Sequence, residues 1–108
     1  MPRGWRWRRA RRGALGRVPI PVRIGFVPPF ERFVPVPMKN PVPIQIEPPE
    51  FEVLRLIDFE ELTQEEAGER MGVSRGTAWR LLQSARKKVI QALVEGRELI
   101  IQKSPINP

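Results

Sequence analysis

The chain has 108 residues, 13 prolines and a formal net charge of +7, and it contains no cysteine, histidine or tyrosine. This length permits one domain with a modest hydrophobic core. Without cysteine or histidine the chain can form no disulfide, no zinc finger and no histidine-based catalytic or metal site. We therefore expect a binding protein that is not an enzyme and that needs no cofactor and no metal.

The positive charge is divided unevenly along the chain. Residues 1–25 contain eight arginines and no acid, residues 47–69 contain nine acids and one arginine, and residues 70–108 contain eight basic and two acidic residues. A pI of about 11.2 indicates a polyanionic partner, whereas an ordinary solvated surface is the alternative. No apolar run reaches the roughly 20 residues of a spanning helix, and no secretory signal follows the N-terminal arginines. We expect a cytoplasmic protein without membrane insertion.

Residues 1–17 are predicted to form a basic, disordered arm, because they lack apolar periodicity and their like charges repel one another. Trp5 and Trp7 alternate with arginines, a mixture that can stack on bases or lie in a groove. An unstructured solubilising tail is the alternative. The arm residues predicted to contact nucleic acid are Arg3, Arg6, Arg8, Arg9, Arg11 and Arg12.

Residues 18–48 form a proline-rich segment that is predicted to be extended, with short edge strands at most. Valine, isoleucine and phenylalanine are too frequent here for a solvated linker, so we expect the segment to wrap around the core. Ile44 and Ile46 flank Gln45 in the alternating pattern of a strand with one buried face. A polyproline ligand for an aromatic groove is the alternative.

Residues 49–103 are predicted to contain three helices, at about 49–60, 63–71 and 75–95, followed by a strand at about 98–102. The fold class is therefore mainly α, with one or two short strands beside the helices.

Local signals define the ends of these helices. Two prolines precede the first helix, Thr63 and Glu66 form a capping box for the second, and Gly72 ends it. Ser74 caps the third helix, and Gly96 stops it. The apolar positions of the third helix recur with the 3.6-residue period; they are Ala78, Leu81, Leu82, Ala85, Val89, Ala92 and Leu93.

The pattern QEEAGERMGVSRGTAWRLLQ at residues 64–83 is typical of a helix-turn-helix, whose second helix enters the DNA major groove. Gly68 must be small because the third helix passes close over it, and Gly72 must permit the positive φ of the turn. Ala67, Met71, Val73, Ala78 and Leu81 are predicted to face the core. An ordinary helical hairpin is the alternative.

The third helix offers candidate DNA contacts on its exposed face. Gly76, Arg80, Gln83 and Lys87 share that face on a helical wheel, and Trp79 and Arg86 flank it. Arginine and glutamine form paired hydrogen bonds with guanine and adenine edges. We expect Arg75, Thr77, Arg80 and Gln83 to contact bases, and Arg86, Lys87 and Lys88 to contact phosphates.

The run EFEVLRLIDFEELTQEEAGERMGVSRGTAWRLLQSARKKVIQALVEGRELII resembles a family of small, uncharacterised prokaryotic proteins. These proteins are predicted to bind DNA through a helix-turn-helix like that of region four of sigma factors. The resemblance covers about residues 47–102 and implies that fold and DNA binding for this chain. Many relatives have cysteines near the N-terminus that this chain lacks, so no metal or redox role is implied. The recognition-helix positions that it implies are Ser74, Arg75, Gly76, Thr77, Trp79 and Arg80.

The sequence thus predicts a prokaryotic transcriptional regulator that binds specific double-stranded DNA. The alternatives are an RNA-binding protein that uses the Arg/Trp arm, and a protein-interaction module that docks on the transcription machinery.

The acids of the second helix should turn away from DNA or pair with nearby arginines. These acids are Glu65, Glu66 and Glu69, and the nearby arginines are Arg70 and Arg75. The proline and charge content, with no cysteine, favours a thermophilic source.

A homodimer would double the number of base pairs that such a small module reads. The candidate contacts are two strand-like segments, 44–46 and 99–101, and the apolar end of the third helix at Ile90, Leu93 and Val94. The two strands could equally pair with each other within one chain. No motif indicates a small-molecule effector.

Overall fold

The computed structural model describes residues 5–9, 20–28 and 31–102, and for residues 5–9, 20 and 21 it describes the backbone alone. These parts of the chain form three α-helices and two small sheets. Within them, no helix is both long enough and apolar enough to cross a membrane. In chain order the elements are β1 (Trp5–Arg9), β2 (Ile20–Ile24), β3 (Arg32–Phe33), β4 (Asn40–Ile46), α1 (Pro48–Leu54), a π-helical turn (Arg55–Phe59), α2 (Gln64–Met71), α3 (Arg75–Glu95) and β5 (Arg97–Ile101).

The first helix is shorter than the predicted range of 49–60. Its start is a capping box, in which the Glu47 N–H donates to the Glu50 carboxylate at 2.9 Å. The chain then changes to a π-helical turn, where the Glu60 N–H donates to the Arg55 carbonyl at 2.8 Å. Such turns interrupt α-helices without a simple local signature. The apolar spacing that predicts one continuous helix does not distinguish a continuous α-helix from one that ends in a π-helical turn.

The second and third helices match their predicted ranges because local signals define their ends. Thr63 and Glu66 form the capping box of α2, and Gly72 ends the helix in the left-handed region with a φ of 73°. Ser74 caps α3 by accepting from a backbone N–H of the first turn. Gly96, with a φ of 64°, ends α3 immediately before β5.

One apolar cluster joins β2 to all three helices. Its largest members, such as Leu56, Met71 and Leu82, are almost completely buried, and each such side chain contributes about 1.5–3 kcal/mol. The prediction that the core positions of the 64–83 pattern face inward is confirmed, with Val73 half-buried at the edge. The members of the cluster are Val22, Ile24, Val53, Leu56, Ala67, Met71, Ala78, Leu81 and Leu82.

The apolar positions of α3 are not all part of the core. Ala85 and Ala92 are buried and Val89 is half-buried, but Leu93 is 72% exposed. The prediction that Leu93 belongs to the buried side is therefore wrong. On a helical wheel Leu93 lies about 60° from Ala78, at the border of the apolar side, and no neighbouring element among the described residues covers it there.

The second sheet has β5 as its central strand. β5 runs antiparallel to β3 and parallel to β4, with Ile44 opposite Leu99 and Ile46 opposite Ile101. Parallel strands need a long crossover connection, and the run from α1 to α3 is that connection. The two strand-like segments that are candidates for a dimer contact therefore pair with each other within the chain.

The described residues contain five strands, where one or two were expected. Residues 5–9 form β1, which pairs antiparallel with β2 over the whole strand, and this differs from the prediction of a disordered arm over residues 1–17. The partner strand supplies the backbone hydrogen bonds that this segment cannot form alone. Because the pairing joins residues some 15 positions apart, periodicity within the arm gives no indication of it.

Gly68 allows the close approach of α2 to the turn that precedes α3. A Cβ atom at this position would lie 2.8 Å from the carbonyl oxygen of Val73 and 3.4 Å from that of Ser74. Both neighbours are backbone atoms, so they cannot rotate away. Gly68 must be small, as predicted, but the constraint comes from the turn and the N-cap of α3 and not from the body of that helix.

We expect Gly68→Ala to lower the free energy of unfolding by about 1–3 kcal/mol, because the added methyl group forces α2 away from the turn. Gly76→Ala is the matched control, since a Cβ there would meet only the Arg80 side chain at 3.9 Å. Alanine also favours a helix over glycine by up to about 1 kcal/mol. Urea unfolding measures both variants, and equal stability of the two would contradict the packing at Gly68.

Candidate nucleic-acid interface

The start of α3 involves two of the predicted DNA contacts. Ser74 Oγ accepts a hydrogen bond from the Thr77 N–H at 3.1 Å and donates one to Thr77 Oγ1 at 3.0 Å. Both hydroxyl groups are therefore occupied in capping the helix. The first turn of the helix retains backbone N–H groups without intrahelical acceptors and the positive end of the helix dipole, which together favour an anion.

The outer surface of α3 presents a group of unpartnered polar side chains, which we call the basic face. Its members are exposed, and within the described part of the chain they have no hydrogen-bond or ion-pair partner. Trp79, beside them, is 40% exposed. Gly76 leaves the backbone open at the N-terminal end of this surface. The basic face consists of Arg75, Arg80, Gln83 and Lys87.

The other two basic side chains of α3 are held by acids. Arg86 donates from Nε and Nη2 to the two carboxylate oxygens of Asp58, at 3.0 and 2.7 Å. Lys88 Nζ lies 2.8 Å from a carboxylate oxygen of Glu50 and 2.9 Å from the carbonyl oxygen of Gln45. The structure thus separates these two residues, both predicted to contact phosphate, from the basic face.

Two of the nine acids at residues 47–69 lie in the interior. Glu50 and Glu52 are only 3% and 2% exposed. Glu50 also accepts a hydrogen bond from the Ser84 hydroxyl, while Glu52 accepts from the Gly25 N–H at 3.0 Å and pairs with Arg55 at 2.8 Å. In the described ranges, no three acidic side chains gather as a metal ion would require.

The expected pairing between the acids of α2 and nearby arginines is absent from the described residues. Glu66 instead completes the capping box of its own helix. Glu65 and Glu69 are exposed, and their carboxylates have no arginine partner within this part of the chain. The positive charges of Arg70 and Arg75 are consequently not neutralised by ion pairs with α2.

Arg23 is a structural residue that the sequence reasoning missed. It reaches from β2 to the end of α2, where Nε donates to the Arg70 carbonyl at 3.0 Å and Nη2 donates to the Glu69 carbonyl. The Glu69 carbonyl also accepts from the Gly72 N–H at 3.2 Å, so Arg23 adds a further donor at this end of α2, where the helix dipole favours a cation. The sequence contains no signal for this contact, because Arg23 is separated from its two partners by 46 and 47 positions in the chain.

The arginines of the predicted arm are described only in part. Arg6, Arg8 and Arg9 lie on β1, of which the backbone alone is described. The other three, Arg3, Arg11 and Arg12, lie outside the described residues. β1 pairs with β2, and β2 packs against α2 through the apolar cluster, so the backbone of β1 is tied to the helical part of the fold.

Comparison with known proteins gives a family for this chain. The model of the family described as "Protein of unknown function DUF134" matches residues 5–106. The chain belongs to this family. No solved structure shows a significant match to it.

The DUF134 chain is similar to proteins from archaea and bacteria that share the name UPF0251. The protein from Thermococcus kodakarensis is 62% identical over 84 residues, which are 72% of each chain. The one from Pyrococcus furiosus is 59% identical over 97 residues, 89% of this chain and 86% of the relative. A bacterial relative from Desulforudis audaxviator is 43% identical over 90 residues, 82% of this chain and 59% of that protein.

The ion pair between Asp58 and Arg86 makes part of the stability dependent on pH. Hydrogen bonds from Arg86 hold the pKa of the Asp58 carboxyl below its ordinary value of 3.8. Because the folded-state pKa is depressed, the stabilisation is fully present above pH 3.8 and is lost as the pH falls through the folded-state pKa. Both side chains are partly solvated, so the pair contributes at most about 1 kcal/mol.

We expect Asp58→Asn to lower the free energy of unfolding at neutral pH by that amount, and the difference from the wild type to shrink in acid. Urea unfolding over a series of pH values measures it. Glu65→Gln is the control, since this exposed acid has no partner among the described residues and its loss should leave the pH dependence unchanged. An acid dependence in Asp58→Asn identical to that of the wild type would refute the role of the pair.

Proposed function

We propose that this protein binds double-stranded DNA in a sequence-specific manner and acts as a transcriptional regulator, with α3 in the major groove. The observation that supports this most directly is the basic face of α3, whose members are exposed and unpartnered within the described residues. Arginine and glutamine are the side chains that form paired hydrogen bonds with guanine and adenine. Arg80 and Gln83 would contact base edges, and Arg75 and Lys87 would contact bases or phosphates at the two ends.

The arrangement of α2 and α3 supports a helix-turn-helix as the binding unit. Three residues connect the helices, beginning with the left-handed Gly72, and Gly68 permits close contact at the turn. In such motifs the second helix lies in the groove with its N-terminal half against the bases. Three members of the basic face, Arg75, Arg80 and Gln83, lie in that half of α3, and Lys87 lies just beyond it.

The pairing of three acids supports the same surface, whereas the exposed Glu65 and Glu69 of α2 would have to face away from the duplex. Glu52 pairs with Arg55, and Asp58 and Glu50 pair with basic residues of α3. These three acids therefore add little negative potential at the basic face. Cations that are not neutralised within the protein can displace counterions from phosphates, which supplies much of the affinity for DNA. Arg70, exposed at the end of α2, would extend this contact along the backbone.

Selection of bound duplexes from a random library tests the proposal. We expect enrichment of a defined sequence, and tighter binding to that duplex than to single-stranded RNA of the same sequence. A preference for RNA would favour the alternative of an RNA-binding protein. Failure to enrich any duplex would contradict DNA recognition and leave a protein-docking role as the better explanation.

We expect Arg80→Ala to weaken binding to the selected duplex by about 1–3 kcal/mol and to relax the preference at one base position. The reason is that the variant cannot form the bidentate hydrogen bonds with a base edge. Fluorescence anisotropy with the selected duplex and its single-base variants measures both effects. Lys39→Ala is the matched control, because it also removes one positive charge, from an exposed position in the loop before β4, and should leave the preference intact.

The same loss of affinity on every sequence would make Arg80 a phosphate contact. Binding that is unchanged in Arg80→Ala would contradict a role for the basic face altogether.

We further propose that the N-terminal arginines contact the DNA backbone or the minor groove. Deletion is unsuitable as a test, because β1 pairs with β2 and β2 contributes Val22 and Ile24 to the core. Replacement of Arg3, Arg11 and Arg12 by glutamine avoids β1. The slope of log K against log salt should fall by about 0.9 for each phosphate that is no longer neutralised by an arginine, and an unchanged slope would exclude contacts by these three residues.

A further inference from the structure

Arg23 uses only one edge of its guanidinium group to cap α2. Nε and Nη2 donate to the carbonyl groups of Arg70 and Glu69, which are consecutive along the chain. A guanidinium has five N–H donors in a rigid planar fork, so these two bonds leave both donors of Nη1 and one of Nη2 free. The side chain is exposed and has no acidic partner among the described residues. Arg23 therefore presents a second edge, with two parallel donors, to solvent.

The turn between α2 and α3 fixes the position of this free edge. A Cβ atom at Gly72 would lie 3.3 Å from Arg23 Cζ and 3.4 Å from Nη2, so the guanidinium rests directly on the glycine backbone. The two hydrogen bonds to the end of α2 hold it there. A side chain that is already ordered loses little further conformational entropy when it binds a ligand.

The surroundings of Arg23 are basic. Arg70 and Arg75, on either side of the turn, are exposed and form no ion pair within the described part of the chain. The register of the first sheet places Arg6 directly opposite Arg23, and like charges at opposed positions repel each other. Glu69 is exposed, and its carboxylate forms no ion pair with Arg23 in the described ranges. This concentration of positive charge favours an anionic ligand.

We propose that Arg23 binds a phosphate of the DNA backbone through its free edge while its other edge caps α2. The inference rests on the proposed function, because the phosphate belongs to the duplex whose major groove holds α3. Arginine binds phosphate oxygens through two parallel N–H groups, which is the arrangement that the cap leaves free. β2 then forms part of the DNA interface, beside the basic face of α3.

The short turn keeps Arg23 close to the proposed base contacts. Gly72 lies three residues before Arg75, so their Cα atoms are at most about 11 Å apart. The major groove is about 12 Å wide, and the phosphates of the two strands border it. With the N-terminal part of α3 in the groove, Arg23 lies within reach of those phosphates. Such a contact fixes the orientation of α3 on the duplex and carries no sequence information.

The salt dependence of binding separates a phosphate contact from a helix cap. Arg23→Gln removes the charge, Arg23→Lys keeps a charge without the fork, and both lose the paired cap. For Arg23→Gln we expect the slope of log K against log salt to fall by about 0.9, with the same fractional loss of affinity on the selected duplex and on an unrelated one. The ratio of wild-type to variant affinity should then fall by about 3.5-fold between about 50 and 200 mM salt. Arg23→Lys should retain the wild-type slope.

Lys39→Gln is the matched control for the loss of one positive charge. Lys39 is exposed, and its N–H donates to the Gly96 carbonyl at 3.0 Å, at the opposite end of α3. That end is about 30 Å from the turn, so the salt slope should remain that of the wild type. Far-UV circular dichroism and urea unfolding verify that all the variants are folded under the binding conditions.

Duplexes with one uncharged methylphosphonate in place of a phosphate locate the contact. For the wild type, we expect one such replacement beside the bases read by α3 to weaken binding by about tenfold, as for the loss of a hydrogen bond to a charged group. The same replacement should not affect Arg23→Gln, because the two changes remove the same interaction and are therefore not additive. Replacement of the other phosphates should affect both proteins equally.

The outcomes separate this contact from the proposed function. An unchanged salt slope for Arg23→Gln, or the wild-type response of this variant to every methylphosphonate, would overturn the contact and leave Arg23 as a cap alone. A loss of affinity confined to the selected sequence would make Arg23 a base contact and would also overturn it. Each of these results leaves DNA recognition in place, since Arg80→Ala tests the basic face separately. If the wild type binds no duplex, the proposed function fails and this contact fails with it.

Discussion

The fold depends on the neutralisation of two carboxylates that α1 buries. A buried carboxylate without a partner costs several kcal/mol, so Glu50 and Glu52 require cationic or hydrogen-bonding groups at defined positions. Lys88 from α3 reaches Glu50, and Arg55 with the backbone of Gly25 reaches Glu52. These contacts hold α1 against α3 on one side and against the end of β2 on the other, and the apolar cluster fills the space between them.

Ion pairs with Glu50 and with the more exposed Asp58 also determine which charges α3 presents outward. The helix has five basic residues, and two of them, Arg86 and Lys88, are held in ion pairs with acids of the preceding elements. The three that remain are exposed and have no ion-pair partner among the described residues, and Gln83 lies beside them. The basic face is therefore what is left after the packing of α1, and the total charge of the helix overstates the charge available to a ligand.

The length of α3 gives its two ends different surroundings. Its N-terminal half packs against α1 and α2, while its C-terminal end meets β4 and β5, where Gly96 accepts backbone hydrogen bonds from Lys39 and Asn40. This sheet covers the inner side of the helix and leaves Ile90, Leu93 and Val94 exposed. One regular helix thus combines a polar surface near its N-terminus with an apolar surface three turns later.

Local chemistry in the sequence was sufficient to determine the second and third helices. The capping box at Thr63, the left-handed glycines and the Ser74 cap act within four residues, and the 3.6-residue period identifies the inner side of α3. Its exposed side, and hence the basic face, follows from the same period. Only the tertiary structure decided which cations are paired, that Arg23 caps α2, that residues 5–9 form a strand and that Leu93 is exposed. Each of these depends on a partner distant in the sequence, or on where a neighbouring element stops, and no local pattern contains that information.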